Sequence, residues 1–443
     1  MGKYKFGIKR YVPQKVLAKL RACWKDNNGL EIEYFYYILD LITRIPTWNK
    51  GILDKYDGFI PLNAYVLKTV IGTNYSHYIK FLLNKGIITS DKIYVKNEKS
   101  KGYKFTDMLE SDLEEVLIPP KHRLYDLIIK QKNNQKKNYS RQEDYIKIMR
   151  KYFYKIQFDF PNAFAWVEKE ITSQNKKNCS FLSLKKIQEK DFFFDRNKTN
   201  YRLDSNLTNL KRELKSFLKG DLVCIDLKNS QPVLLNYLLF QIFPIYWGES
   251  EGRGAPALCF SNRHDEVVET FGRYVIREVR KIPQKDEKAF YEEFIRFHKW
   301  TMGGIFYDEF LKHIGGELTR DEVKKLMFKV MYSPNFINNT SMVLYQKEKE
   351  YFRQVFPYIS HIIFALKRKD HTLFSVFLQK LESELFIDKM SKALVERGIV
   401  PLTIHDSFII ERKDKERASL IAKEVLKEYF LENPKFSVEF IKN

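Results

Sequence analysis

Two short segments place an acidic residue where an apolar strand would end. In Leu222–Leu235 (LVCIDLKNSQPVLL), the run Leu222–Ile225 stops at Asp226, and Pro232 opens a second apolar run. In Ile399–Ile410 (IVPLTIHDSFII), two strand-like runs flank His405 and Asp406. A single Asp at a strand edge is most often a turn or helix-capping residue. Two of them on two core strands are what a two-metal phosphoryl-transfer site requires. A third segment offers the complementary charge. Arg320, Lys324 and Phe328 recur every four residues, so they share one face of a helix, with Tyr332 one step further along. Cations four apart on a helix repel by about a few tenths of a kcal/mol unless an anion lies across them. A nucleoside triphosphate is such an anion: Arg clasps phosphate through two N–H groups, Lys presents a point charge, and the two rings offer a base or sugar an apolar platform. The plain alternative is an exposed face neutralised by Asp321 and Glu322.

The elements that must hold these residues can be read from periodicity. Leu222–Ile225 reads as a buried strand and Pro232 as the start of a helix. Leu318–Val330 reads as a strong helix capped near Thr319 or Gly316, Phe374–Arg397 as a long helix running into the strand–turn–strand at Asp406, and Glu411–Asn443 as a helix followed by a strand, Phe436–Ile441. Asn262–Phe310 is mostly helical and charged, and Lys211–Lys219 reads as a short basic helix.

Nearer the N-terminus the pattern changes. Helical periodicity near Pro13–Trp24 and Ile32–Ile45 is followed by helix, turn and helix over Pro61–Lys85. Strand-like Ile87–Thr89 and Lys92–Lys96 follow, then a polar turn (NEKSKG, Asn97–Gly102) and a returning strand, Tyr103–Phe105. Helix, turn, helix and a basic hairpin resemble a winged helix, whose second helix enters a duplex groove while the wing touches backbone. Ser76, His77, Lys80, Lys99, Lys101 and Lys104 are the contacts this implies; the alternative is a small module that packs against protein. An acidic run, 107–118, ends at Pro119-Pro120, where a boundary is placed. The basic stretch Lys121–Lys198 contains a polar run, Lys130–Ser140, read as a solvated helix tip or loop, with a thumb-like hold on nucleic acid as the functional reading. The expected division is 1–118, 119–198 and 199–443.

With 443 residues, a net charge of +21, 27 Tyr and 35 Phe, the chain is a basic globular protein of more than one domain. Such a charge points to a polyanionic partner, nucleic acid first; a Lys- and Asn-rich, AT-biased genome would account for part of it. Cys23, Cys179, Cys224 and Cys259 are far apart, so neither zinc nor a disulfide framework is expected, and a reducing cytoplasm fits. The first residues have no apolar core of a signal peptide. The longest apolar run, Val233–Trp247, is too short and too mixed to span a bilayer.

Together, residues 199–443 resemble the family A nucleic-acid polymerases, which include DNA polymerase I and the single-subunit RNA polymerases of phages and mitochondria. Asp226 matches the strand-ending Asp of motif A. Arg320, Lys324 and Tyr332 match R-x3-K-x7-Y of motif B, and His405 and Asp406 match the HD of motif C, in the family's order. Arg202 in YRLDSNLTNL matches the arginine of the TxxGR-L-S-S segment, with Tyr201 where the family has Gly. Gln379 in LQKLESELF matches the glutamine of the helix before motif C. The resemblance implies an α+β right-hand fold of palm, fingers and thumb, here with the winged-helix-like module in front. It implies two Mg²⁺ ions, for which Mn²⁺ could substitute, on Asp226, Asp406 and the Leu227 carbonyl. Arg320 and Lys324 would bind the triphosphate, and Lys324 would also protonate pyrophosphate. Phe328 and Tyr332 would sit by base and sugar, and His405, Arg202 and Gln379 by the primer end and minor groove. The implied partners are a DNA template, nucleoside triphosphates and the growing RNA or DNA strand, with no membrane.

The sugar preference turns on the residues after Asp226. The DNA enzymes follow motif A's Asp with YSQIE, whose Glu blocks a ribose 2′-hydroxyl; here Gln231 takes that place. The RNA enzymes have Asp-x3-Ser and HDS, matched by Asp226 with Ser230 and by His405–Asp406–Ser407. Ser333-Pro334 stands where relatives commonly have Gly. The balance leans to RNA synthesis or priming. The alternatives are a family A DNA polymerase and a non-catalytic winged-helix replication initiator. No clustered acidic set before residue 199 suggests a proofreading exonuclease.

Overall fold

The computed structural model describes residues 7–26, 29–49, 51–95, 99–140, 142–243, 264–316, 318–337, 341–430 and 432–441. Cys259, Asn97, Glu98, Asn262 and the end of the Val233–Trp247 run lie outside them. The described chain is mixed α and β, with three apolar cores; the second, drawn mostly from 145–222, also takes Ile387, Leu402, Ile404 and Ile409 from within the span of the third.

The first core is built on β1 (Ile8–Pro13), β2 (Ile60–Pro61), β3 (Ile88–Ser90), β4 (Gly102–Phe105) and β5 (Leu113–Ile118). β1 pairs antiparallel with β5, so the second half of the acidic run forms a ladder, with Glu114 and Glu115 opposite Val12 and Tyr11. Helices Gln14–Cys23 and Ile32–Arg44 cover this pair. Helices Ala64–Ile71 and Tyr75–Asn84 lie in sequence between β2 and β3, and the small sheet is ordered β2–β4–β3. Asn63 starts the first of these helices by accepting the Tyr65 and Val66 N–H groups at 2.8 and 3.3 Å, and Gly72, with φ +96°, ends it. The expected strand Lys92–Lys96 does not form beyond a single bridge, Val95 to Lys99. Asp91 is the reason. Its carboxylate accepts the Ile93 N–H at 3.0 Å and the Gly102 N–H at 2.9 Å, and pairs with Lys99, so side-chain bonds take the place of a ladder.

The segment expected as a loop or helix tip, Lys130–Ser140, continues one helix, Arg123–Ser140, whose Leu124 and Ile128 join the first core. The second core gathers helices Asp144–Phe153, Phe160–Glu170 and Gln174–Gln188 with a hairpin of β6 (Phe194–Arg196) and β7 (Leu203–Ser205). The short basic helix expected over Lys211–Lys219 is a single tight turn, Glu213–Phe217.

The third core backs the sheet that matters most, made of β8 (Leu222–Leu227), β9 (Leu402–Ile404), β10 (Ser407–Glu411) and β11 (Phe436–Ile441). It is antiparallel throughout, in the order β11–β8–β10–β9. Strand alternation decides its two faces. Val223, Ile225 and Leu227 turn into the third core with Phe408 and Ile410, while Cys224 and Asp226 turn to the opposite, part-exposed face. Behind β8, the helix Ser230–Ile242 is buried along its whole length. The long helix expected over Phe374–Arg397 is divided: His371–Ser383 is α-helical, a wider turn spans Glu384–Ser391, and Lys392–Glu396 resumes. Ser391 Oγ donates to the Phe386 carbonyl five residues back, at 2.6 Å. Among the described residues no helix is long and apolar enough to cross a membrane.

Candidate active site

Asp226, on β8, and Asp406, in the turn leading into its neighbour β10, come together. Ile404 pairs with Ser407, so His405 and Asp406 form a two-residue reversal between β9 and β10, with His405 at φ +53° where such turns require it. Ser407 then pairs with Asp226 across the sheet, and the Leu227 N–H donates to the Asp406 carbonyl at 3.2 Å. On the other side of Asp226 stands Ser437 of β11, whose Oγ donates to the Asp226 carbonyl at 3.3 Å. Ser230, first residue of the buried helix, donates its hydroxyl to the Asp406 carboxylate.

The pair is electrostatically strained. Burial, then the charge of Asp406, pushes Asp226 up to about 7, against the pull of Lys324 and Arg212. Two acids this close, with the sheet beneath them, favour either a shared proton or a cation. Their donors are carboxylate oxygens, with the Leu227 main chain alongside: a hard set that suits Mg²⁺ or Mn²⁺ and not a thiolate-seeking metal.

Lys324 supplies the facing charge from the helix Arg320–Tyr332. A capping box starts this helix: Thr319 Oγ1 accepts the Glu322 N–H at 3.3 Å, and Glu322 accepts the Thr319 N–H at 2.7 Å. Val323, Leu326, Met327 and Val330 face the core, which turns Arg320, Lys324 and Phe328 outward together. Lys324 makes no ion pair with a described residue. Arg320 lies over the Tyr307 ring at 5.6 Å and pairs with Asp308 at 2.9 Å. The Phe328 and Tyr332 rings are 5.7 Å apart.

A buried polar chain runs beside the carboxylates. Tyr332 donates its hydroxyl to Gln231 Oε1, and Gln231 Nε2 donates to Glu382 at 2.6 Å. Arg202 donates to the two oxygens of Glu382 at 2.8 and 2.9 Å. Arg202 is therefore joined to the protein at its guanidinium, and Gln379 accepts a bond from Asn200 at 2.9 Å, so residues 200–202 and the helix His371–Ser383 are locked together. Tyr201 has φ +58°, the left-handed backbone that glycine adopts most readily. Sequence reading passed over Glu382. The signal was there: Phe374, Phe377, Leu378 and Leu381 form an apolar stripe at helical spacing, and Glu382 falls on the same stripe. An acid on a buried face needs partners. Arg212, Ser437 and Tyr307 were also passed over, because each becomes a neighbour of the acids only through the fold.

The remaining sequence-derived positions lie on the first core. His77 and Lys80 are exposed on one side of the helix Tyr75–Asn84, Ser76 is half-buried beside them, and Lys101 is exposed before β4. Lys99 is held by Asp91 and stacks over Tyr56 at 4.8 Å, and Lys104 lies over Phe59 at 5.1 Å. The side chains of Glu31, Glu33 and His122 also meet, with ligand-type atoms within 4.8 Å of one another. Here His122 Nδ1 accepts the Leu124 N–H at 3.1 Å, so Nε2 carries the proton and donates to Glu31 at 2.9 Å. With both ring nitrogens engaged, these side chains form a closed hydrogen-bonded cluster.

No family model matches this sequence, and no curated protein does. Among solved structures, the chain is similar to the POL domain of Pol1 from M. smegmatis, in complex with DNA primer-template and dNTP. The match covers 64% of this chain and 55% of that one, at 14% identity and a TM-score of 0.25. The chain spans little more than half the length of that domain, and a likeness so distant assigns no residue a role.

Proposed function

We propose that this chain is a template-directed nucleotidyltransferase that adds nucleotides to a 3′-hydroxyl, with RNA synthesis or priming favoured over DNA synthesis. The observation that carries the reading is the strained pair of Asp226, on β8, and Asp406, in the turn before β10, faced by the exposed Lys324. Divalent ions bound there would lower the pKa of the attacking hydroxyl and offset charge on the leaving pyrophosphate. The protein's own part is to hold those two carboxylates, with the Leu227 main chain bonded to the Asp406 carbonyl beside them. Lys324 and Arg320 would grip the triphosphate, which requires Arg320 to exchange Asp308 for phosphate. Lys324 would give a proton to the departing oxygen. Phe328 and Tyr332 would pack against base and sugar, with Gln231 at the 2′ position, and His405, Arg202 and Gln379 would border the primer end.

The first core is read as a winged-helix-like module that holds template DNA through Ser76, Lys80 and Lys101. The order of helix, β2, helix, helix, β3, β4 and the exposed His77 and Lys80 favour this reading. By itself this module would also suit a non-catalytic initiator. Mixing the protein with a primer–template or bare template, Mg²⁺ and either rNTPs or dNTPs separates the two. Incorporation that Asp226→Ala abolishes supports the enzyme. DNA binding with no incorporation from either pool supports the initiator.

A further inference from the structure

We infer that Glu382 is a positioning residue that fixes the hydrogen-bond direction at Tyr332 and so sets discrimination at the sugar of the bound nucleotide. This rests on the site reading above. Glu382 is 1% exposed, and Arg202 and Gln231 both donate to its carboxylate. Burial pushes the Glu382 carboxyl up to about 7 against the charge of Arg202, but Arg202 donates to both of its oxygens, so what it offers Gln231 is an acceptor. The Gln231 amide must therefore turn its NH₂ towards Glu382 and its oxygen towards Tyr332. The Tyr332 hydroxyl proton is committed to that oxygen. What the phenol presents to the pocket is lone pairs alone. A ribose 2′-hydroxyl can donate to them, and a deoxyribose cannot.

The chain of bonds is one-directional because Glu382 is an acid. A glutamine at 382 would have both donor and acceptor, so it would satisfy Gln231 in either orientation, and Tyr332 would lose its fixed polarity. Arg202 anchors the far end. Its bidentate grip, on a carboxylate buried along the helix His371–Ser383, keeps that carboxylate from rotating. In this arrangement the residue that decides sugar preference touches no nucleotide.

The test is equilibrium binding of ATP and dATP, with the ratio of the two dissociation constants as readout. Wild type is expected to favour ATP, and both Glu382→Gln and Tyr332→Phe to lower that preference by about fivefold, the size of one neutral hydrogen bond. The double variant should lower it no further. A purely structural role would weaken both nucleotides together and leave the ratio alone. Should Glu382→Gln fail to fold, Glu382→Asp, which keeps the acid but draws it away from Gln231, carries the test. An unchanged ratio in these variants, or a wild type that binds both sugars equally, overturns the inference. A protein that binds neither nucleotide overturns the site reading and the inference with it. ATP preference in a protein that incorporates nothing overturns the catalytic reading alone.

Discussion

Two aspartates in this molecule, one fully buried and one partly so, meet opposite fates. Asp40, in the first core, is 1% exposed and surrounded by built-in partners: Arg44 at 2.6 and 3.1 Å, Arg10 at 3.4 Å and the Tyr11 N–H at 3.0 Å. Burial alone would raise its pKa, but Arg44 and then Arg10 outweigh burial and hold it below the ordinary carboxylate value. Asp226 has the same burial problem with a second acid at its side, and is pushed up to about 7. One acid is complete within the fold. The other is only partly offset by Lys324 and Arg212, and remains raised. A buried charge with its counter-ions supplied serves structure; one left in want of a cation marks a place where chemistry is expected.

The largest expected effect falls on activity. Asp226→Asn or Asp406→Asn should lower nucleotide incorporation by about a thousandfold or more, equivalent to about 4 kcal/mol of transition-state stabilisation. The fold should survive, because each change removes a like-charge repulsion. Asp40→Asn should do the reverse. It leaves Arg44 and Arg10 buried without their anion and should cost about 3–5 kcal/mol of stability in denaturant unfolding. If Asp226→Asn unfolds the chain and Asp40→Asn is tolerated, the contrast between the two acids is wrong.

How far this contrast could be foreseen depends on where each partner lies in sequence. The turn at His405–Asp406 and the cap at Thr319 were legible because their determinants are local: a polar break between apolar runs, and a Thr followed three residues later by Glu. The strand Phe436–Ile441 was legible from its alternation, but not its place beside β8, since a strand does not name its partner. β1 and β5 were missed for a related reason. β5 reads LEEVLI, and its two adjacent acids hide the alternation that its pairing with Ile8–Pro13 imposes. The strain on Asp226 was inferable once two acids were supposed to meet. The chain from Arg202 through Glu382 to Tyr332 was not, because its members join segments remote in sequence and none belongs to a local pattern that announces the others.

Stability against pH should separate the two aspartates by sign. A carboxyl raised to about 7 contributes stability that is present below its unfolded value near 4 and lost as pH rises through 7. The melting temperature of Asp226→Asn should therefore gain on wild type between pH 4 and pH 8, and millimolar Mg²⁺ should narrow the gap by stabilising wild type alone. Asp40 is held low, so its contribution is present above its unfolded value and lost as pH falls through the folded one; Asp40→Asn should differ from wild type most at neutral pH and least in acid. Parallel curves for the two variants would erase the distinction.

A smaller effect belongs to the cationic helix. Thr319→Ala removes a capping-box bond and should lower stability by about 1 kcal/mol, read as a shift in denaturant midpoint. Lys324→Ala should leave stability nearly unchanged, since Lys324 is exposed, yet weaken triphosphate binding and slow incorporation by about a hundredfold. Equal loss of stability in the two variants would mean that Lys324 serves the fold and not the site.

The account stands or falls on whether Asp226 and Asp406 act jointly on divalent ions. The direct measurement is calorimetric titration of Mn²⁺ into wild type, Asp226→Asn, Asp406→Asn and, as the control acid, Asp40→Glu. Binding in wild type and in the control, lost in both site variants, is the expected result. Binding that persists in either site variant, or that is absent from a folded wild type with nucleotide present, would contradict it.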